Sequence, residues 1–223
     1  MTMILNLETA TTNCSVSIAS NGEVIVLKED NSPNYSHSEQ LHVFVQEALK
    51  EASLTFKDIS AIAVSKGPGS YTGLRIGVSA AKGLCFSLDL PLISVSTLES
   101  LAKLGLGKKY DFIIPLLDAR RMEVYSTVFD EEGNNIRETR AEIIQKESFL
   151  EYAQKGKVLL IGDGAEKCRS LLEHPNFNYE SALPTAKEMA KISYKKFKAS
   201  EFENTAYFEP YYLKDFMLQG KKT

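Results

Sequence analysis

Two hydrophobic periods alternate along this chain, and the switches between them mark its elements. Residues 3–7, 15–19 and 24–28 are short apolar or alternating runs that read as strands, and Asn21-Gly22 supplies a two-residue hairpin turn between the last two. The period then lengthens. Leu41, Phe44, Val45, Ala48, Leu49 and Ala52 recur at helical spacing behind Ser36-His37-Ser38-Glu39, which has the form of a capping box. A helix is therefore expected over 41–52. A strand at 61–65, a glycine-bearing turn, a helix running to Leu88, a short strand at 92–95 and a helix over about 97–104 complete the first half.

Gly105-Leu106-Gly107-Lys108-Lys109 interrupts the pattern, and a similar order of elements then begins again. Strands are expected at 112–117, 123–129 and around Ile136, followed by a helix near 147–154, a strand at 158–161 and two further helices. Hairpin strands followed by α/β units, given twice, predict a duplicated α/β fold of two lobes, 1–104 and 105–223, each with a mixed sheet and helices. Binding sites in such folds lie between the lobes. The stretch from Tyr211 to Met217 either packs back on the first lobe or waits for a partner.

Between the strand at 61–65 and its helix lies Gly67-Pro68-Gly69-Ser70-Tyr71-Thr72-Gly73-Leu74-Arg75-Ile76-Gly77. Ser70 or Thr72 can cap the helix, and amides at a helix start favour an anion. The spacing fits neither common phosphate loop, because no Lys-Ser or Lys-Thr pair follows and the glycines miss the dinucleotide pattern. A tight strand-to-helix turn that binds nothing stays open on spacing alone.

The 223 residues are 43% hydrophobic and 25% charged, enough for a sizeable core. No 18-residue apolar run exists and the N-terminus lacks a basic segment with an apolar core, so a cytoplasmic protein without membrane contact is expected. Cys14, Cys85 and Cys168 are odd in number and far apart, which suits small core residues and not a disulfide framework. A net charge of −3 gives the chain no general attraction to nucleic acid. One local exception stands out. Lys187, Lys191, Lys195 and Lys198 share a face of the helix expected over 185–199, opposite Met189, Ile192 and Tyr194, either as a solvated face or as a patch that helps hold RNA.

Four stretches together carry a resemblance. Leu7-Glu8-Thr9-Ala10-Thr11 with Cys14-Ser15-Val16-Ser17, then His37-Ser38-Glu39-Gln40-Leu41, the run from Gly67 to Gly77, and Asp118-Ala119-Arg120-Arg121-Met122-Glu123-Val124-Tyr125 resemble the bacterial TsaB (YeaZ) family across nearly the whole chain. The resemblance implies an actin, sugar-kinase and heat-shock-ATPase type of fold. It also implies a role in making threonylcarbamoyladenosine next to the anticodon of tRNAs that read codons beginning with A. The implied partners are a TsaD-like catalytic subunit and a TsaE-like ATPase, with a homodimer when the chain is alone and tRNA met only through the complex. On this resemblance Glu8, Thr9, Thr11, Asp118 and Arg120 line a degenerate nucleotide cleft, and Gly67, Gly69, Ser70, Thr72 and Gly73 form the glycine loop. Leu41, Phe44, Val45, Ala48, Gly73, Ile76, Gly77 and Ala80 would present two helices to the partner, the small residues allowing close approach. That both helices are ordinary core also stays open.

The same resemblance argues against catalysis by this chain. Where the catalytic relative has a metal-binding His-x-x-x-His pair, this sequence has Thr97 and Leu101, a hydroxyl and an isobutyl group that cannot hold a transition metal. His37 and His42 stand five apart and His174 is alone, so no other pair replaces it. Glu8 is one methylene longer than the aspartate of active relatives, and Ala119-Arg120 puts side chains where glycines would let backbone amides approach a phosphate. No cofactor and no metal are expected, and the chain reads as a non-catalytic scaffold. The alternatives are a small-molecule kinase or carbamoyl transferase with an altered nucleotide site, and a peptidase, for which no Ser-His-Asp or Cys-His arrangement can be named.

Overall fold

The computed structural model describes residues 1–32 and 37–214. Ser36 of the expected capping box and residues 215–217 of the C-terminal stretch lie outside the described residues. In the first lobe, β1 (Met3–Glu8), β2 (Cys14–Ser20) and β3 (Glu23–Asp30) form an antiparallel meander, and β4 (Ala61–Gly67) and β5 (Leu92–Ser96) add parallel strands in the order β3-β2-β1-β4-β5. The second sheet repeats this plan. β6 (Phe112–Asp118), β7 (Glu123–Asp130), β8 (Asn135–Ile143), β9 (Val158–Ile161) and β10 (Phe177–Glu180) run β8-β7-β6-β9-β10 with the same directions. Two sheets of one topology, each followed by helices, are the duplicated actin and sugar-kinase type of fold.

The helices also repeat in order and differ in length. α1 (His37–Glu51) and α2 (Tyr71–Leu88) are long, α3 (Thr97–Lys103) closes the first half, and α4 (Leu150–Ala153) and α5 (Ala165–Cys168) are single turns before α6 (Ala186–Lys198). The helix expected over 147–154 shrinks to α4 because Phe149 sits in the left-handed region at φ 63° and Gln145 N–H bonds to Ser148 Oγ, which makes 145–148 a turn. β10 is absent from the sequence expectations. Its four residues are too short a run to show a period, and its pairing with β9 defines it.

Strand alternation sets which helix covers which face. Leu5, Leu7, Ile62 and Val64 point toward α1 and α2, where Leu41, Val45, Ala48, Val78 and Ala81 meet them. Ile4, Ala61, Ala63, Ile93 and Val95 point the other way and are covered by Ala186, Met189 and Ile192 of α6. α6 thus belongs to the first sheet, although chain order puts it after the second. α3 makes the reverse crossing, with Leu98, Leu101 and Ala102 packed on Ile113, Leu117, Phe129 and Ile161 of the second lobe. The two sheets separate between β5 and β6, but the apolar sides of the final helices cross over: α6 packs on the first sheet, and α3 lies between the two, with its apolar residues on the second. Polar bonds fix α6 in place, since Ser193 Oγ donates to Asn6 Oδ1 at 2.6 Å and Ala186 N–H donates to Ser15 Oγ at 2.9 Å.

Candidate functional site

Glu8 ends β1 on the side of the sheet that Ile4 and Asn6 share, facing the region between the lobes. Its side chain is fully buried. Oε1 accepts from the Ala10 amide at 2.7 Å, and Oε2 has no hydrogen-bond partner among the described residues. Burial pushes the carboxyl from 4.5 to about 7, with the Ala10 amide and the nearby Ser65 hydroxyl opposing part of the rise. Beside it Ser65 Oγ and Thr97 Oγ1 bond to each other at 2.7 Å. Thr97 and Leu101 are both solvent-inaccessible, Leu101 inside the apolar cluster between α3 and the second sheet. A hydroxyl already engaged with another hydroxyl and an alkyl group do not make a metal site. Among the described residues no group of three His, Cys, Asp or Glu side chains converges as metal ligands would.

The glycine loop docks on the turn after β1. Ser70 N–H donates to Ala10 O at 2.7 Å, Ser70 Oγ caps α2 by accepting from Gly73 N–H at 3.2 Å, and Leu74 N–H donates to Ser70 O at 2.9 Å. Thr9 Oγ1 donates to Gly73 O at 2.8 Å. Thr11 O lies 2.7 Å from Nε2 of the buried His37, whose proton affinity burial lowers. Glu8, Thr9 and Thr11 are thus brought together with Gly69, Ser70 and Gly73. The donors a phosphate would seek at Ser70, Gly73 and Leu74 are taken by the chain itself. Thr72 is exposed on the first turn of α2.

This docking corrects part of the expected partner face. A Cβ at Gly73 or Gly77 would come closer than 3.0 Å to Thr9, so both glycines serve the approach of α2 to the β1 turn and not the approach of a foreign helix. Leu41, Val45 and Ala48 are buried in the chain's own core, because the apolar stripe of α1 that marked it as a helix is the stripe the first sheet consumes. Of the expected set, Phe44, Ile76 and Ala80 remain half-buried at the edge. Ile76 and Ala80 line a groove of about 740 Å³ between α1 and α2, walled also by His42, Tyr71, Arg75 and Leu84. Beyond its end Phe86 is 87% exposed. Ile76, Ala80 and Leu84 recur at i, i+4 and i+8, a second stripe that the sequence carries in plain view beside the stronger core stripe.

Asp118 and Arg120 lie on the other lobe, in the β6–β7 hairpin. Arg120 and Arg121 take positive φ, 71° and 53°, and the Ala119 amide reaches Glu123 O at 3.1 Å. Asp118 is committed internally: its carboxylate pairs with Lys167 and accepts from the Arg120 amide at 2.7 Å, while its own amide donates to Asp163 at 2.8 Å. Lys167 also donates to Arg121 O at 2.8 Å and Glu123 O at 2.6 Å. Asp163 keeps an exposed surface, and partial desolvation of its carboxyl raises its proton affinity. The hairpin is closed on itself. Elsewhere, the three cysteines are buried, with burial pushing their thiols up to about 12, 12 and 11. Lys187, Lys191, Lys195 and Lys198 are exposed on α6, on the far side of the sheet from the groove. No helix among the described residues is long and apolar enough to cross a membrane.

Comparison with known proteins agrees with this geometry. A model of the TsaD family, tRNA N6-adenosine threonylcarbamoyltransferase, matches residues 32–222. The chain is 32% identical over 222 residues to the tRNA threonylcarbamoyladenosine biosynthesis protein TsaB of Escherichia coli (strain K12), covering 95% of this chain and 94% of that protein. Over 42% of its length it is 39% identical to a tRNA N6-adenosine threonylcarbamoyltransferase of Bacillus thuringiensis (strain Al Hakam), covering 32% of that protein. The crystal structure of YeaZ from Pseudomonas aeruginosa superimposes with a TM-score of 0.84 at 25% identity, over 96% of this chain and 100% of that one. With a near full-length relative at this identity and the same two-lobed fold, the chain belongs to the TsaB (YeaZ) branch of the family that the threonylcarbamoyltransferase model describes.

Proposed function

We propose that this chain is a non-catalytic activating subunit of the complex that transfers threonylcarbamoyl to the adenosine next to the anticodon of tRNAs reading codons that begin with A. Its partners in this reading are a TsaD-like catalytic subunit and a TsaE-like ATPase. The observation that carries it is that, Glu8 Oε2 apart, the polar groups named at the site are engaged internally: Ser70, Gly73 and Leu74 amides, the Asp118 carboxylate and the Ser65–Thr97 hydroxyls are all bonded within the chain. A scaffold needs a surface instead, and the α1/α2 groove is an apolar concavity lined by Ile76, Ala80 and Leu84. A TsaD-like partner is related to this chain, so its matching helices are the natural occupant, and a second copy is the occupant when the chain is alone. A net charge of −3 supports tRNA contact through the complex only.

Reconstitution tests the reading. The chain is purified with TsaD-like and TsaE-like homologues, and threonylcarbamoyladenosine is measured in tRNA with and without it. Modification is expected to require the chain, while the chain alone neither hydrolyses ATP nor modifies tRNA. Transfer by the isolated chain, or full activity of the other two proteins without it, overturns the proposal.

A further inference from the structure

After α6 the chain returns over the first lobe and then leaves it. Glu203 N–H donates to Leu92 O at 2.8 Å, and Ser94 Oγ donates to the Glu203 carboxylate at 2.5 Å. Lys82 of α2 donates to the carbonyls of Ala206 at 3.2 Å and Phe208 at 2.9 Å. Tyr211 N–H donates to Lys66 O at 2.7 Å, and its own carbonyl comes so near Gly67 that a Cβ there would lie 2.8 Å away. The Tyr212 ring rests on Tyr71, centroids 4.9 Å apart. Two residues later Lys214 pairs with Glu123, the first residue of β7 in the second lobe. Glu123 is also the residue whose carbonyl Lys167 holds beside Asp118.

Residues 203–214 therefore run from the glycine loop of one lobe to the hairpin of the other. The anchors are unequal. On the first lobe they are backbone bonds, a lysine on two carbonyls and an aromatic stack; on the second there is one ion pair whose side chains are 40% and 22% exposed, a kind of contact that water weakens. Tyr71, the ring under Tyr212, is also a wall of the α1/α2 groove, together with Arg75, whose guanidinium lies 5.4 Å from the centre of that ring. Tyrosine and arginine are the side chains that protein partners most often engage at the centre of a contact.

We propose that residues 203–214 form a clasp that restrains the 118–124 hairpin against the first lobe, and that a TsaD-like protein seated in the α1/α2 groove releases it by drawing Tyr71 away from Tyr212. The release step rests on the occupant assigned to the groove above; the clasp itself does not. Groove and hairpin lie on different lobes, and the clasp, stacked on Tyr71 at one end and ion-paired to Glu123 at the other, is the route by which occupancy of one reaches the other.

Amide hydrogen exchange read by mass spectrometry on the full chain tests both parts. Tyr212→Ala and Lys214→Ala, each at a partly exposed position, are expected to keep the melting temperature while exchange in 207–214 and 118–124 rises about tenfold without any partner. Adding the TsaD-like homologue to the unaltered chain should slow exchange in α1 and α2 and speed it in 207–214 and 118–124. Unchanged exchange at 118–124 in both variants overturns the clasp. Slowed exchange in the groove with no change at 207–214 overturns the release step. If the homologue slows neither helix, the groove reading fails and takes the release step with it, while the two variants still decide the clasp.

Discussion

Replacing Glu8 with glutamine is expected to stabilise the chain at pH 8 and to cost it about 1 kcal/mol near pH 4.5. The carboxyl is fully buried, one oxygen holds the Ala10 amide, and the other has no partner among the described residues. In the folded state its pKa stands at about 7 against 4.5 for the exposed group. Below pH 4.5 the carboxyl is protonated whether the chain is folded or not, so it adds no pH dependence. Between 4.5 and about 7 the folded chain holds a proton that the unfolded chain has lost, and stability falls as pH rises. Above that window both states are ionised and the cost of a buried charge is fully present. At about 1.4 kcal/mol per pH unit the window is worth roughly 3 kcal/mol, a large fraction of a typical domain stability of about 5–15 kcal/mol. Glutamine keeps the acceptor for Ala10 and carries no charge. Allowing about 1 kcal/mol for its amide donors, which face the already bonded Ser65 hydroxyl, leaves about 2 kcal/mol of gain at pH 8. Urea unfolding of both proteins at pH 5, 6, 7 and 8 measures it. A gain that is absent at pH 8, or that is largest at pH 5, refutes the assignment of Glu8 as a buried group that prefers its proton.

Three further outcomes are expected. Gly77→Ala should lower stability by about 1–3 kcal/mol, because its Cβ meets the Thr9 hydroxyl; Thr9→Ala in the same chain should recover part of the loss, and a purely additive double variant in urea unfolding counts against the packing described. Ala80→Arg and Ile76→Asp, both at half-buried groove positions, should keep the melting temperature within a few degrees while abolishing co-elution with a TsaD-like homologue and the tRNA modification that depends on it. Lys167→Ala removes a cation bonded to Asp118 and to the carbonyls of Arg121 and Glu123 and should cost about 1–2 kcal/mol, with the loss confined to faster amide exchange around 118–124.

The strands and long helices of the first lobe were legible because each has one dominant period: β2 and β3 meet at Asn21-Gly22, and α1 is a single apolar stripe. What hid the α1/α2 groove was the strength of that same signal. Leu41, Val45 and Ala48 are the clearest periodic residues on α1, and clarity of period measures burial in the chain's own core, whereas the groove is marked by the fainter recurrence of Ile76, Ala80 and Leu84. Gly73 and Gly77 misled for a related reason, since a small residue announces close approach and does not name what approaches. Thr9, 64 and 68 positions upstream, is the answer only three dimensions give. The site chemistry was read more fully. Glu8 is one methylene longer than an aspartate, Thr97 and Leu101 carry no metal-ligating nitrogen, and Ala119-Arg120 put side chains where glycines would leave room, and composition of that kind is visible without a fold. The clasp was not legible, because residues 203–214 form no helix or long strand and are ordered by bonds to distant backbone.

The exchange of α3 and α6 between the sheets decides how the molecule can come into being. Cutting the chain in the 105–109 linker would give two fragments of nearly equal plan, each missing the helix that covers one apolar face of its sheet and each carrying a helix suited to the other. Neither fragment should be monomeric in water, since Ile4, Ala63, Ile93 and Val95 would be bare in one and Ile113, Leu117 and Ile161 in the other. The two fragments together cover both faces of each sheet by trading terminal helices. Duplication within one chain makes that trade intramolecular, so assembly of the lobes becomes part of folding and no longer depends on concentration. It also frees the two copies to differ. The first carries the long helices α1 and α2, while the second has only the single turns α4 and α5 at the corresponding places, so the grooved helix pair lies on one lobe alone.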